Sequence, residues 1–397
     1  MGCTDILIVA MEEGRWGPAR LPGALASAGL SVAALCPDRN ALAASDHVAH
    51  RFRLPPTRSS RGLFRALSEA IESCRPRLVI PADEQVVALL HAFVRQGLKR
   101  GDTDATLETV ATSLGRPEML DAMLHKSATL DLARRLGVRV PESATISSAG
   151  EAARAGEQIG YPLYVKTSFS WAGQGVTLCQ DAAALAAALR QPRNVWSAGK
   201  AVLRSWLGRD WYPNTPAVDI QEAIDGRPAM YCAVAWRGQM LAGFAGLPTA
   251  TASPTGPSTS VRLCENSAMA AASARMIEAF GATGFLGFDF MIEDGTEQVY
   301  LLECNPRPIQ VCHLGPLIHC DLAQRLAAEL AACQGAGERW SARGDIEVML
   351  MPGSLRGDGT DTDHRHRDIP WDDRGLLRFA GHSGPDHGSE AQARRFI

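Results

Sequence analysis

Gly287-Phe-Asp-Phe-Met-Ile292, followed by Leu301-Leu-Glu-Cys-Asn-Pro-Arg307, is the stretch whose reading decides the fold. The two runs read as strands over Gly287–Ile292 and Gln298–Glu303, turning at Glu293-Asp294-Gly295. Partners on a hairpin carry their side chains to a common face. Asp289 can therefore lie opposite Glu303, with Asn305 two residues further along the same side. Two carboxylates and an amide oxygen suit a hard divalent cation, above all Mg2+ shared with phosphate oxygens. Arg307 adds a planar cation beside them, suited to a phosphoryl or carboxylate oxygen. The alternative is an edge hairpin with ordinary polar residues, although an Asp between Phe288 and Phe290 is costly unless paired or metal-bound.

Working outward, Gly160-Tyr-Pro-Leu-Tyr-Val-Lys166 reads as a strand ending in a lysine, with a loop over 167–175 that contains Gly173 and Gly175 and a return strand at Val176–Cys179. A strand-end lysine can point into a cleft, and a glycine-bearing loop lets backbone N–H groups approach phosphate closely. The lysine precedes the glycines, so this is not the P-loop pattern. A common hairpin with a lone lysine is the plainer reading. The chain has 40 basic residues, of which only Lys99, Lys126, Lys166 and Lys200 are lysines. A lysine here is unlike a generic surface charge, since ammonium and guanidinium are not interchangeable beside phosphate.

Before this region the sequence alternates short apolar strands and helices. Strands are expected at Ile6–Ala10, Val32–Leu35 and Leu78–Pro81, with helices at Pro18–Ala28, Leu63–Ser73 and Glu84–Val94. No GxGxxG run follows the first strand, so a dinucleotide fingerprint is absent. Gly101–Thr106 reads as a boundary, and from Gly353 onward Gly, Asp and His suggest irregular chain. The expected organisation is an N-terminal domain over 1–115, a central domain over 116–335 with a lid at about 140–215, and an extension over 336–397.

At 397 residues, 46% hydrophobic and 21% charged, with a formal net charge of -3, the composition is that of a globular protein. It excludes membrane, fibrous, disordered and dedicated nucleic-acid classes, and points to a cytoplasmic chain without nucleic-acid or membrane partners. The ten cysteines lack a CxxC pair and read as reduced, buried thiols.

Taken in order, these stretches, with Val218-Asp-Ile-Gln-Glu-Ala-Ile-Asp-Gly226, resemble the ATP-grasp superfamily over about residues 1 to 335. The resemblance implies an α/β fold, α+β in part: a parallel N-terminal domain followed by two subdomains that grip ATP. By that likeness Lys126 and Lys166 are phosphate-binding lysines, Gly173 and Gly175 belong to the loop over the phosphates, and the backbone of Glu222 and Ile224 reads adenine. Asp289, Glu303 and Asn305 would hold two Mg2+ ions, with Mn2+ able to substitute. Arg307 and Arg262 would act on the transferring group, and His313 would border the substrate. The chain departs from the pattern in two places: Pro228 stands where many members carry a ribose-binding Glu (Asp225 is the candidate substitute), and Gly287 where some carry Arg.

The implied activity is that of a carboxylate–amine ligase working through an acyl phosphate, on a small carboxylate and an amine such as an amino acid, with room for a homodimer. Bicarbonate or a thiol acceptor, and an ATP-binding module without turnover, are the alternatives. If the lysine reading holds, Lys166→Arg damages ATP use nearly as much as Lys166→Ala, whereas Lys99→Arg and Lys200→Arg are close to silent. Steady-state phosphate release on the four variants checks this, and equal behaviour of all four would remove any special role for Lys166.

Overall fold

The computed structural model describes residues 4–13, 16–57, 59–167, 176–190, 211, 218–253, 256–332, 340–356 and 365–381. Strands β1 (Ile6–Val9), β2 (Val32–Cys36), β3 (His50–Arg53) and β4 (Leu78–Pro81) form a parallel sheet in the order β3-β2-β1-β4. The strands β1, β2 and β4 are buried at every position, as parallel strands covered on both faces must be. Ile6, Ile8, Val32 and Ala34 pack with Leu21 and Leu25 of α1 (Gly17–Ser27). Leu7, Val9, Ala33 and Leu35 face the opposite side. There they meet α3 (Ser60–Cys74) and α4 (Glu84–Arg100); the short α2 (Ala41–Ala44) follows β2.

The helix α4 outruns its expected end at Val94 and stops where Gly101 takes a left-handed φ of 74°. Gly101–Thr106 joins two helices that pack in one core. Asp104 caps α5 (Ala105–Leu114), whose Leu107, Val110 and Leu114 join the same core as α4. Helix α5 also closes the free edge of β4: the Ser113 hydroxyl accepts the Val79 N–H at 2.9 Å and donates to Thr109 O at 2.6 Å. A buried edge strand needs such a partner, because an unmet backbone donor keeps its full desolvation cost.

After a 3-10 turn, α6 (Leu120–Leu124) and α7 (Lys126–Arg135) lead to a second sheet. It holds β5 (Ser143–Ile146), β6 (Leu163–Thr167), β7 (Val176–Cys179) and β8 (Val218–Glu222), in antiparallel order β5-β8-β6-β7. Leu163, Val165, Val218 and Ile220 pack against α8 (Ala149–Ile159) and α9 (Ala182–Leu189). Period-two alternation therefore turns Tyr164, Lys166, Asp219 and Gln221 to the other face.

The third and largest sheet is built from β9 (Gly226–Trp236), β10 (Gln239–Thr251), β11 (Ser258–Cys264), β12 (Gly284–Glu293), β13 (Val299–Asn305), β15 (Ile346–Met349) and β16 (His366–Arg367). They run in the order β13-β12-β9-β10-β11-β15-β16, with β14 (Trp340–Ser341) beside β10. The helix Ser267–Phe280 covers one face, and Leu322–Ala332 with α1 covers the other. Strands β5 and β11 were not expected, because their Ser- and Thr-rich runs lack a clean apolar alternation.

The tail is more ordered than its composition suggested. Asp373 caps the helix Arg374–Phe379 and accepts from Ser45 Oγ at 2.5 Å and Asp46 N at 3.0 Å, tying the extension back to the first domain. No helix among the described residues is long and apolar enough to cross a membrane. Seven of the eight cysteines described are buried, and all eight are free thiols. Trp211 is buried in the α3–α5 core, whereas Trp196 and Trp206 lie outside the described residues. Ser113→Ala should cost about 1–3 kcal/mol, the price of an unmet buried N–H, and a denaturant unfolding curve checks it.

Candidate active site

The hairpin β12–β13 places Asp289 directly opposite Glu303, and Gly287 opposite Asn305. A register shift follows Asp289, so Leu302 stands outside the pairing and the three polar side chains stay on one face while Phe288, Phe290 and Leu301 face the Ser267–Phe280 helix. Gly287 is close-packed: a Cβ there would lie 2.2 Å from Ile309 Cγ2. A side chain at 287 would have to displace the loop that follows Arg307.

Lys126 is the first residue of α7, and its ammonium lies 3.0 Å from Glu303 Oε2. A cation at a helix N-terminus opposes the macrodipole, so nothing in the stability of α7 asks for a lysine there. Burial works against the charge as well. Glu303 first, then Asp289 and Glu84, overcome it and hold the Lys126 pKa above its ordinary value. Asn305 Nδ2 donates to Asp289 Oδ2 at 3.1 Å, and Arg307 Nη2 donates to Asn305 Oδ1 at 3.3 Å, which fixes the orientation of the amide. Arg307 also donates from Nη1 to Pro308 O at 3.1 Å and from Nη2 to Glu84. Burial, with the charge of Glu303 next, pushes Asp289 up to about 6. Carboxylates this close favour a proton, or a cation in its place.

From the second sheet, Lys166 donates to Gln221 and lies 5.9 Å from the centre of the Tyr164 ring. Its partner in register is Asp219, held by Thr145 Oγ1 at 2.7 Å. Burial and the charge of Lys126 bring Lys166 down to about 8, against the attraction of Glu303, Asp289 and Asp219. Lys126, Lys166, Asp289, Glu303, Asn305 and Arg307 thus form one electrostatic cluster. Gly173 and Gly175 lie outside the described residues.

Arg262 is not brought to this cluster. It is exposed on β11 opposite Leu247 and Glu347, on the face away from Val261 and Leu263. Strands β9 and β10 stand between it and β12, a span of roughly 14 Å at normal strand spacing. His313 instead bonds through Nε2 to Asp368 Oδ1 at 3.0 Å, and Arg20 Nε meets the same oxygen at 3.0 Å. Asp368 is 3% exposed and, against its burial, is held well below the usual carboxylate range by His313 and then Arg20, so the three side chains form a buried clamp. The Glu222 N–H is committed to Glu142 O at 2.8 Å, and the Glu222 carboxylate accepts Glu142 N at 3.1 Å.

Two residues with clear partners were not singled out in the sequence. Glu84 contacts Arg307, and Asp83 accepts from Met11 N at 2.7 Å, Glu12 N at 2.9 Å and Val86 N at 2.9 Å. The sheet order changes direction between β1 and β4, and open α/β sheets bind ligands at the carboxyl ends of the strands at such a point. Asp83 bridges the two loops there; Pro81-Ala-Asp-Glu-Gln85 at the end of β4 was the available signal.

As a metal site, Asp289, Glu303 and Asn305 offer the small oxygen donor set that Mg2+ accepts when phosphates and waters complete its shell. No group of three or more His, Cys, Asp or Glu side chains fit to hold a metal by themselves occurs among the described residues. The residues therefore fit a cation shared with a phosphate ligand and not a closed protein cage.

Residues 125–202 match the family model for the ATP-binding domain of the carbamoyl-phosphate synthase L chain, a span that includes Lys126 and Lys166. The carbamoyl phosphate synthase large chain of Rubrobacter xylanophilus is 26% identical over 174 residues, 44% of this chain and 16% of that protein. That of Xylella fastidiosa is 27% identical over 201 residues, 48% of this chain and 17% of that protein. The chain thus matches only about a sixth of the length of these curated relatives.

Among solved structures, the biotin carboxylase domain of Hydrogenobacter thermophilus 2-oxoglutarate carboxylase aligns with a TM-score of 0.60 at 16% identity, over 87% of this chain and 74% of that one. Thermus thermophilus N5-carboxyaminoimidazole ribonucleotide synthetase gives 0.58 at 16%, over 86% and 82%. Bacillus licheniformis L-amino acid ligase gives 0.52 at 13%, over 83% and 74%. The parallel first sheet and the two antiparallel sheets thus give the chain the fold of these structures, and residues 125–202 are similar to the ATP-binding domain of the carbamoyl-phosphate synthase L chain.

Proposed function

We propose that this chain is an ATP-dependent ligase that joins a small carboxylate to an amine through an acyl phosphate. The observation that carries the reading is the convergence of Lys126, Lys166, Asp289, Glu303, Asn305 and Arg307 from three separate parts of the fold. A carboxylate oxygen attacks the γ-phosphorus, the bond to the bridging oxygen breaks, and ADP leaves. The amine nitrogen then attacks the acyl carbon and loses a proton, and inorganic phosphate departs.

The protein's part is positioning and charge compensation. Lys126 and Lys166 would neutralise phosphate oxygens, and Arg307 would stabilise charge on the transferring group. The peptide groups of Glu222 and Ile224 are the candidate adenine readers. Gly173 and Gly175 are proposed to cover the phosphates. Asp289, Glu303 and Asn305 would hold two Mg2+ ions, or Mn2+ in their place, whose chemistry is to offset phosphate charge. Homodimer formation belongs to the same proposal, since the 2-oxoglutarate carboxylase domain is described as a dimer.

A second reading replaces the organic carboxylate with bicarbonate. It is favoured by the Hydrogenobacter structure, which contains bicarbonate alongside MgADP, and by the carbamoyl phosphate synthases. Hydroxylamine separates the two readings. An enzyme that activates an organic acid forms a hydroxamate from ATP, Mg2+ and that acid alone; a bicarbonate enzyme releases phosphate only when bicarbonate is present. Formation of AMP in place of ADP would remove the acyl-phosphate route. Glu303→Ala should abolish phosphate release while the fold persists, because losing one of the paired carboxylates costs several kcal/mol of charge stabilisation.

The lowered pKa of Lys166 gives a further outcome. Near pH 8 the free protein holds this ammonium only about half charged, whereas a phosphate ligand favours the charged form. Nucleotide binding should therefore take up a proton between about pH 8 and 9.5, and affinity should fall as pH rises through that range. Titration calorimetry in buffers of different ionisation enthalpy reads the proton directly, and Lys166→Met should erase it.

A further inference from the structure

Arg307 has two ways to satisfy its charge. Its Nη2 donates to Glu84, the strongest of its three carboxylate attractions, and also reaches Asn305 Oδ1 on the hairpin, where Asp289 and Glu303 attract it as well. The guanidinium is buried, with 10% of its side chain exposed, so loss of its Glu84 partner would leave its charge to the remaining carboxylates. Glu84 is the first residue of α4, behind the Asp83 cap, where the helix dipole favours a carboxylate. Asp83 in turn is fixed by three backbone N–H groups, so the carboxylate that draws Arg307 away from the hairpin stands on a rigid corner of the first domain.

The same guanidinium nitrogen that bonds Glu84 also reaches Asn305 Oδ1, and Asn305 passes its amide hydrogen to Asp289. A continuous path of donors and acceptors thus runs Glu84, Arg307, Asn305, Asp289. Were Glu84 neutral, the largest attraction left to Arg307 would be the carboxylate pair itself. Arg307 would then occupy, as a bound cation, the place that a divalent ion needs.

We propose that Glu84 is a positioning residue of the active site, which holds Arg307 off Asp289 and Glu303 and so leaves to a divalent cation the carboxylate oxygens that Lys126 and Asn305 do not bond. This rests on the ATP and Mg2+ reading of the site and adds to it a residue from the first domain. The test is Mn2+ binding in the presence of adenylyl imidodiphosphate, followed by the enhancement of water-proton relaxation over that of the Mn2+–analogue complex without protein, with no turnover involved. Glu84→Gln should weaken Mn2+ binding tenfold or more, and by more than Arg307→Gln does.

The decisive variant is Glu84→Gln with Arg307→Gln. If Glu84 acts by restraining Arg307, removing both restores Mn2+ affinity to the level of Arg307→Gln alone. A double variant as weak as Glu84→Gln would overturn the proposal in favour of a purely structural role. Wild-type affinity in Glu84→Gln would overturn it outright. Should Glu84→Gln fail to fold, Glu84→Asp keeps the charge but withdraws it by one methylene, and an intermediate affinity is expected; an unchanged affinity counts against the proposal. Failure of the wild-type protein to bind Mn2+ with the analogue would overturn the nucleotide reading itself, whereas a null result confined to the variants overturns only the role of Glu84.

Discussion

The ion pair between Lys126 and Glu303 is the contact on which the arrangement turns. It joins the start of α7 to the strand β13, at a helix position where a lysine is electrostatically disfavoured. A half-buried pair of this kind contributes little net stability once desolvation is counted, so its value lies in what it holds in place. Glu303 faces Asp289 across the hairpin, Asp289 takes a hydrogen from Asn305, and Asn305 accepts one from Arg307. One charge after another is set by its neighbour.

Two sheets make this possible by simple alternation. In β6 and β8 the apolar positions face α8 and α9, leaving Lys166 and Gln221 on the free face. In β12 and β13 the aromatic positions face the Ser267–Phe280 helix, leaving Asp289 and Glu303 opposite. The loop after Arg307 must then pass close by, and a glycine at 287 admits Ile309 where any Cβ would collide. The same loop is held from outside by the buried contact of His313 with Asp368 and Arg20, so the tail of the chain braces the segment that carries Arg307.

The site is also tense in a way that fits its proposed ligands. Asp289 is pushed up to about 6 and Lys166 down to about 8, each against its own charge. A cation would relieve the first and a polyanion the second. Neither shift serves the stability of the folded chain, and groups of this kind collect where binding, not folding, has set the residue.

The sequence by itself determined the parts that depend on local pattern. The hairpin turn at Glu293-Asp294-Gly295, the strand Leu78–Pro81, the helix expected at Leu63–Ser73 and the opposition of Asp289 to Glu303 are all legible from alternation, helical spacing and turn chemistry. The rarity of lysine marked Lys126 and Lys166 before either had a partner. Tertiary structure decided what spacing along the chain cannot reach. Glu84 meets Arg307 across 223 positions, and Asp368 meets Arg20 across 348. Arg262, whose role was implied by resemblance, is separated from β12 by two strands in the order of the sheet. An interaction between distant residues has no periodicity to announce it; only the packing of one buried charge against another in the folded chain selects it.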